Sequence, residues 1–163
     1  HRDLHSFPTR RSSDLLWRLE ETRPFAGKEA NWGEWAAQLA DLCLVLREPG
    51  PAASFFHQAL LRDPARTQWW ANYGLALQSL GRLDRADQAF LRAHQLNPRH
   101  IVPIYNRMEL AFRRGDYPLT RRLLADLQSF AIPPEQARRM ERIQSELDRL
   151  DPPKENTPPR GNR

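Results

Sequence analysis

The clearest pattern of apolar and polar positions lies between Thr67 and Pro98. Apolar residues recur at helical spacing from Trp70 to Leu80, and again from Ala86 to Leu96. Leu80-Gly81-Arg82-Leu83 separates the two runs, and a glycine at such a point predicts a helix end. Pro98 follows Asn97 directly and predicts the stop of the second run. The stretch therefore predicts a helical hairpin. Gly74 and Ala86 lack bulk, which predicts a close approach of its two antiparallel helices.

The pattern returns when the register is moved by 34 residues. Upstream, Phe90 maps to Phe56, Ala86 to Ala52, Ala93 to Ala59, Pro98 to Pro64 and Gly74 to the still small Ala40. Trp69 maps to Trp35, Leu80 to Leu46 and Leu77 to Cys43. Gly81 becomes Arg47, and the break there is expected from Glu48-Pro49-Gly50-Pro51. Downstream, Gly81 maps to Gly115, Leu83 to Tyr117, Phe90 to Leu124 and Trp70 to Ile104. Three positions depart: Gly74 becomes Met108, Ala86 becomes Thr120 and Ala93 becomes Leu127. The larger residues predict a divergent third hairpin, splayed or crossing at another angle.

Trp70, Gly74, Ala86, Phe90 and Pro98, at these spacings, resemble the tetratricopeptide repeat, which carries Trp, Leu-Gly, Tyr, Ala, Phe and Pro at fixed offsets in a 34-residue period. Tyr73 stands where that signature has leucine, and Leu77 where it has tyrosine. The resemblance implies an all-α fold, a right-handed α-solenoid of about three hairpins with a C-terminal capping helix. The expected organisation is residues 33–66 as a first repeat, 67–100 as a second, 101–132 as a divergent third, and 133–150 as the cap. In the last, Ala137, Met140, Ile143, Leu147 and Leu150 form one apolar stripe, as the end helix of an array requires. Residues 151–163 hold four prolines and no large apolar side chain, which predicts a disordered tail.

The chain does not begin with Met. Residues 1–15, HRDLHSFPTRRSSDL, resemble translated sequencing-adapter sequence of the kind that contaminates environmental gene assemblies. They are left out of the fold reasoning, and the true N-terminus is expected to be missing. Residues 16–32 then read as a short helix and loop, the remnant of a truncated upstream region. The compartment is not legible; the fragment is expected to be soluble, because its longest apolar run, Leu42 to Leu46, is too short for a membrane span.

In the resembling family, the first helix of each hairpin lines a concave groove that grips an extended peptide or a partner's helix. The positions not spent on packing there are Gln38 and Asp41 in the first hairpin, Asn72, Leu75 and Gln78 in the second, and Tyr105, Asn106, Glu109 and Phe112 in the third. Ala37, Val45, Ala71, Ser79 and Val102 belong to the same stripes. Tyr105 and Phe112 are candidate aromatic anchors. An asparagine there offers a peptide backbone both a donor and an acceptor. The repeat-defining structural residues are Ala40, Ala52, Phe56, Pro64, Trp70, Gly74, Gly81, Ala86, Phe90, Pro98, Gly115 and Tyr117. One subset of the family clamps acidic chaperone tails with lysine, arginine and asparagine. The matching positions here are Ala37, Asp41, Asn72, Val102 and Asn106; only Asn72 agrees, and Asp41 repels a carboxylate. The chain is therefore not expected to be a chaperone acidic-tail receptor.

No catalytic residue, metal or cofactor is expected. His57, His94 and His100 lack metal-ligand spacing, Cys43 falls at a buried packing position without an identifiable base, and no glycine-rich phosphate loop occurs. The formal net charge is +5, and of 25 basic residues only Lys28 and Lys154 are lysines. Arg113-Arg114, Arg121-Arg122 and Arg138-Arg139-Arg142 could form a basic patch, but Asp116, Asp126, Glu135 and Glu141 interleave with it. Nucleic-acid or anionic-surface binding is thus an unlikely alternative. The leading expectation is a protein–protein interaction module, an adaptor or assembly scaffold whose partner is another protein. The alternatives are a C-terminal regulatory array of a larger enzyme or membrane protein, and self-association through the N-terminal edge at Trp17, Trp32 and the first hairpin.

Overall fold

The computed structural model describes residues 32–152. The expectations for residues 1–15, for 16–31 and for the tail beyond 152 lie outside the described residues. Among those described there are seven α-helices and no strand: α1 (Trp32–Val45), α2 (Pro49–Arg62), α3 (Thr67–Ser79), α4 (Leu83–Leu96), α5 (Ile101–Arg113), α6 (Tyr117–Leu127) and α7 (Pro134–Leu150). The fold is all-α, built from helical hairpins. It divides into two compact units whose boundary falls between Pro103 and Ile104, in the first turn of α5.

The hairpin turns show why these segments stop and restart. After α3, Arg82 donates its backbone N–H to the carbonyl of Leu77 at 2.9 Å, and Gly81 to Gln78 at 3.0 Å. This pair of bonds ends a helix on a residue in the left-handed conformation, and Gly81 has φ +71°. The same pair recurs 34 residues on, from Asp116 to Ala111 and from Gly115 to Phe112, with Gly115 at φ 74°. It recurs 34 residues earlier too, from Glu48 to Cys43 and from Arg47 to Leu44. There the left-handed residue is Arg47, at φ 59°. This corrects the expectation that Gly50 and its neighbouring prolines make the break. Arg47 makes it, Pro49 opens α2, and Gly50 is the second residue of that helix.

The links between hairpins repeat in the same register. Asp63 accepts the Ala65 N–H at 3.1 Å, and Asn97 accepts the Arg99 N–H at 3.1 Å. Each side chain folds the backbone after its helix and leads into the following proline.

In the first unit, α1 packs on α2, α2 on α3 and α3 on α4. Ala36, Ala37, Ala40, Phe56, Ala59, Leu60 and Trp69 form one buried cluster, with Trp32, Leu44, Phe55, Trp70 and Tyr73 against it. The Trp70 indole N–H donates to the Pro64 carbonyl at 2.8 Å, tying α3 to the preceding loop. The smallness of Gly74 serves Phe90: a Cβ placed on Gly74 would lie 2.5 Å from Phe90 Cε1. Alanine at position 40 faces the same cluster as Phe56, so both hairpins set a small residue against a phenylalanine.

In the second unit, Ile104, Met108, Leu123, Leu124, Leu127, Ile143 and Leu147 form the buried cluster. Met108 and Leu124 occupy the registers of Gly74 and Phe90, so bulk has moved from the second helix of the hairpin to the first. Thr120, at the alanine register, is fully buried, and its hydroxyl donates to the Asp116 carbonyl at 2.7 Å. The buried hydroxyl is therefore satisfied. In α7, Ile143 and Leu147 are the residues sealed into this core, while Leu150 is 55% exposed.

Candidate partner-binding face

In the first unit, α1 and α3 each present a polar stripe at helical spacing. Glu34, Gln38 and Asp41 are exposed on α1, and Gln68, Asn72 and Leu75 hold the equivalent places on α3. The stripes are joined where Asn72 Nδ2 donates to Asp41 Oδ1 at 2.7 Å. Asn72 Oδ1 in turn accepts from Gln68 Nε2 at 2.9 Å. At the helix starts, Arg66 reaches Glu34 at 3.4 Å and Asp63 at 2.7 Å, and its guanidinium lies over the Trp69 ring. Gln38 is exposed, and Leu75 and Gln78 are half-buried. Ala37 and Ala71 are buried; they are core, not surface.

Asp41 has a distinctive electrostatic setting. Partial burial of its carboxyl raises its pKa above the usual carboxylate value, and the hydrogen bond from Asn72 opposes that shift. Its Oδ1 has the Asn72 amide as partner, and no cation faces it among the described residues.

In the second unit, Glu109 is a junction. Arg139 of α7 donates to its Oε1 at 2.9 Å, and the Tyr105 hydroxyl to the same atom at 3.3 Å. Burial and the neighbouring Glu109 charge hold the Tyr105 phenol above its usual pKa. Tyr105 and Phe112 are half-buried and lean on the core cluster, and Phe112 also packs on Tyr117 with ring centroids 6.4 Å apart. Asn106 is half-buried beside them on α5.

Three residues of these surfaces escaped the reading of the sequence: Glu34, Gln68 and Arg139. Glu34 and Gln68 lie one turn upstream of Gln38 and Asn72, so extending the stripe by one step would have found them. Arg139 carried no such signal, because its partner is on a helix thirty residues away in sequence.

The arginines of the second unit are partly spent. Arg121 bonds Asp148 at 2.9 Å and also donates to the Asp151 carbonyl, and Arg139 is held by Glu109. Arg122, Arg138 and Arg142 are exposed or on the outer face of their helices. Among the described residues there is no group of three His, Cys, Asp or Glu arranged to hold a metal, and no helix is long and apolar enough to cross a membrane. Cys43 is buried, and burial together with the Glu48 charge pushes its thiol up to about 11, far from a reactive thiolate.

Comparison with known proteins bears on the fold. The model of the tetratricopeptide repeat matches residues 67–100. No curated protein matches the chain. Among solved structures, the chain is similar to an Arabidopsis OM64 TPR domain, with TM-score 0.64 and 14% identity over 74% of this chain and 97% of that one. It is similar to the Sgt2 TPR domain from Aspergillus fumigatus, with TM-score 0.66 and 16% identity over 80% and 87% of the two chains. It is also similar to the Yersinia enterocolitica type III secretion chaperone SycD in complex with a peptide of the translocator YopD, with TM-score 0.65 and 16% identity over 77% and 96%. Residues 67–100 are thus a tetratricopeptide repeat, and the chain has the all-α fold of tetratricopeptide-repeat domains.

Proposed function

We propose that this chain is a protein–protein interaction module, an adaptor or assembly scaffold, that holds an extended partner segment along the first helices of its hairpins. The carrying observation is the pair of surface stripes on α1 and α3. Gln38, Asp41, Asn72, Leu75 and Gln78 stay at the surface, while the repeat-defining positions beside them are committed to packing. Amide side chains with spare donors and acceptors suit a peptide backbone, whose N–H and C=O groups need partners when water is displaced. One similar structure, of SycD, holds a peptide of the protein YopD, which supports the same use of the fold here. In the second unit, Tyr105, Asn106, Glu109 and Phe112 offer a surface of similar kind. Glu109 and Tyr105 would have to receive a ligand without leaving Arg139.

The test is selection of displayed peptides on the purified chain, followed by titration of the selected sequences by fluorescence anisotropy. A variant carrying Gln38→Ala, Leu75→Ala and Gln78→Ala removes ligand-facing groups but none of the printed internal bonds. The proposal expects selected peptides to lose most of their affinity for that variant while its circular dichroism is unchanged. Equal affinity for both proteins would refute the site. The regulatory-array reading would be tested by the same variant once an upstream domain is in hand. No observation favours nucleic acid over protein, since two of the basic side chains proposed for it are already neutralised within the fold.

A further inference from the structure

The charge on the face of the first unit points to the kind of segment it takes. Across the chain, 25 of 163 residues are Lys or Arg. Yet none of the 14 residues of α1 and none of the 13 of α3 is basic. The acids on this face are Glu34 and Asp41. Glu34 is already neutralised by Arg66, which stands at the end of the stripes and also holds Asp63. Asp41 stands in the middle, fixed by Asn72 Nδ2 at 2.7 Å and without a cation of its own. A carboxylate held half-desolvated by one neutral amide is a strong acceptor for an incoming cation, because binding supplies the countercharge that burial withholds. Gln38 and Gln78 carry spare amide donors and acceptors for the adjoining backbone, and Leu75 supplies an apolar contact.

We infer that the occupant of this face is an extended segment of another protein carrying a lysine or arginine, with its cation seated on the Asp41 carboxylate. The inference rests on the groove reading above and adds the charge of the ligand to it. It sets this chain apart from receptors of acidic tails: the same helix positions that would need cations hold a carboxylate.

Displayed random peptides, selected on the full chain, test both levels at once. The expected result is enrichment of Lys or Arg at one fixed position. Asp41→Asn keeps a hydrogen-bond acceptor for Asn72, and it should abolish that enrichment and weaken a selected peptide by roughly fivefold, the upper range for a partly exposed ion pair. Asp41→Lys should reverse the preference toward Asp or Glu at the same position; circular dichroism checks that either variant is folded, and the Asp41→Asn result stands alone if the lysine variant is not. Peptides that depend on Gln38, Leu75 and Gln78 but show no basic preference would overturn this inference and leave the groove reading intact. A basic preference that survives Asp41→Asn would overturn it as well. Failure to select any peptide would overturn both. A peptide of residues 152–163, which include Lys154, Arg160 and Arg163, serves as a competitor; tighter binding by it than by any selected sequence would replace the foreign partner with this chain's own tail.

Discussion

Replacing Gly74 with alanine sets two effects of opposite sign against each other. Alanine is the better helix former by about 1 kcal/mol in a helix interior. Its methyl, however, would stand 2.5, 2.6 and 2.9 Å from Cε1, Cδ1 and Cζ of Phe90. Carbon atoms in contact sit at about 3.5–4.0 Å, so ring or helix must move by about 1 Å. Phe90 is fully buried and cannot swing into solvent. Overpacking of this kind costs roughly 1–3 kcal/mol, so the clash outweighs the propensity gain and a net loss of about 1 kcal/mol is expected. Gly50 provides the control within the same unit. It also lies in a helix, but a Cβ there meets nothing within 4 Å. Gly50→Ala should therefore stabilise or be neutral. Urea titration followed by far-UV circular dichroism reads both, and the two midpoints should move apart. Phe90→Leu copies the leucine of the third repeat; alone it leaves a void and destabilises, but in the Gly74→Ala background it relieves the clash. The cycle should show a coupling of about 1 kcal/mol, within the range for residues in contact. A Gly74→Ala protein as stable as the parent, or a cycle that is additive, would refute the close-approach argument.

Arg47 adopts a conformation that costs an L-residue roughly 1–2 kcal/mol. Arg47→Gly should raise the thermal midpoint despite glycine's greater entropy when unfolded, a net gain of about 0.5–1 kcal/mol; a lowered midpoint in differential scanning calorimetry would show that the arginine side chain earns its place. Asp116 caps α6 by accepting the Leu119 N–H at 3.1 Å, so Asp116→Ala should destabilise by about 1 kcal/mol in urea titration, and Asp116→Asn by less. The pH dependence of stability has two opposed parts. Asp63 and Asp148 are held below the usual carboxylate value of 3.8 by hydrogen bonds from Arg66 and Arg121, so their contribution is present above pH 3.8 and is lost as pH falls through the lowered values. Asp41 is raised by burial, so its ionisation opposes folding: the stability it allows below pH 3.8 is lost as pH rises through the raised value. Asp41→Asn should remove that second slope from denaturation midpoints measured across the acid range, and a variant with the parent's slope would contradict the assignment.

The second hairpin was legible because its packing constrains residue size at fixed intervals. Gly74 beside Phe90, Gly81 at a left-handed turn and Pro98 after Asn97 each leave a residue-type trace, and such traces repeat. Where the same geometry falls on an ordinary residue, the trace vanishes. Arg47 makes the same turn as Gly81 and Gly115, with the same two backbone bonds. Nothing in an arginine announces a positive φ, so attention went to the nearby Gly50, which lies within a helix. The candidate face shows the complementary gap. Periodicity identifies which residues a helix turns away from its core, and Gln38, Asp41 and Asn72 were found that way. It does not reveal whether the next helix has already claimed them. Asn72 bonds Asp41 and Gln68, and Glu109 bonds Arg139 and Tyr105.

Those claims follow a rule of their own. Asp41 and Glu109 stand two repeat periods apart, and each accepts from the sixth residue of a later first helix: Asn72 in α3 and Arg139 in α7. One structural tie is thus made once with a neutral amide and once with a cation. The difference decides what remains for a ligand. Arg139 supplies Glu109 with a full countercharge, so a second cation arriving there would meet a satisfied carboxylate and a nearby guanidinium. Asn72 fixes the position of Asp41 but leaves its charge unbalanced. The two acids occupy equivalent places, yet only the first retains the attraction that recognition of a basic segment requires. An arginine in place of Asn72 should close the first site as Arg139 closes the second: Asn72→Arg ought to hold the fold, add an ion pair to Asp41, and cost the chain its preference for basic peptides.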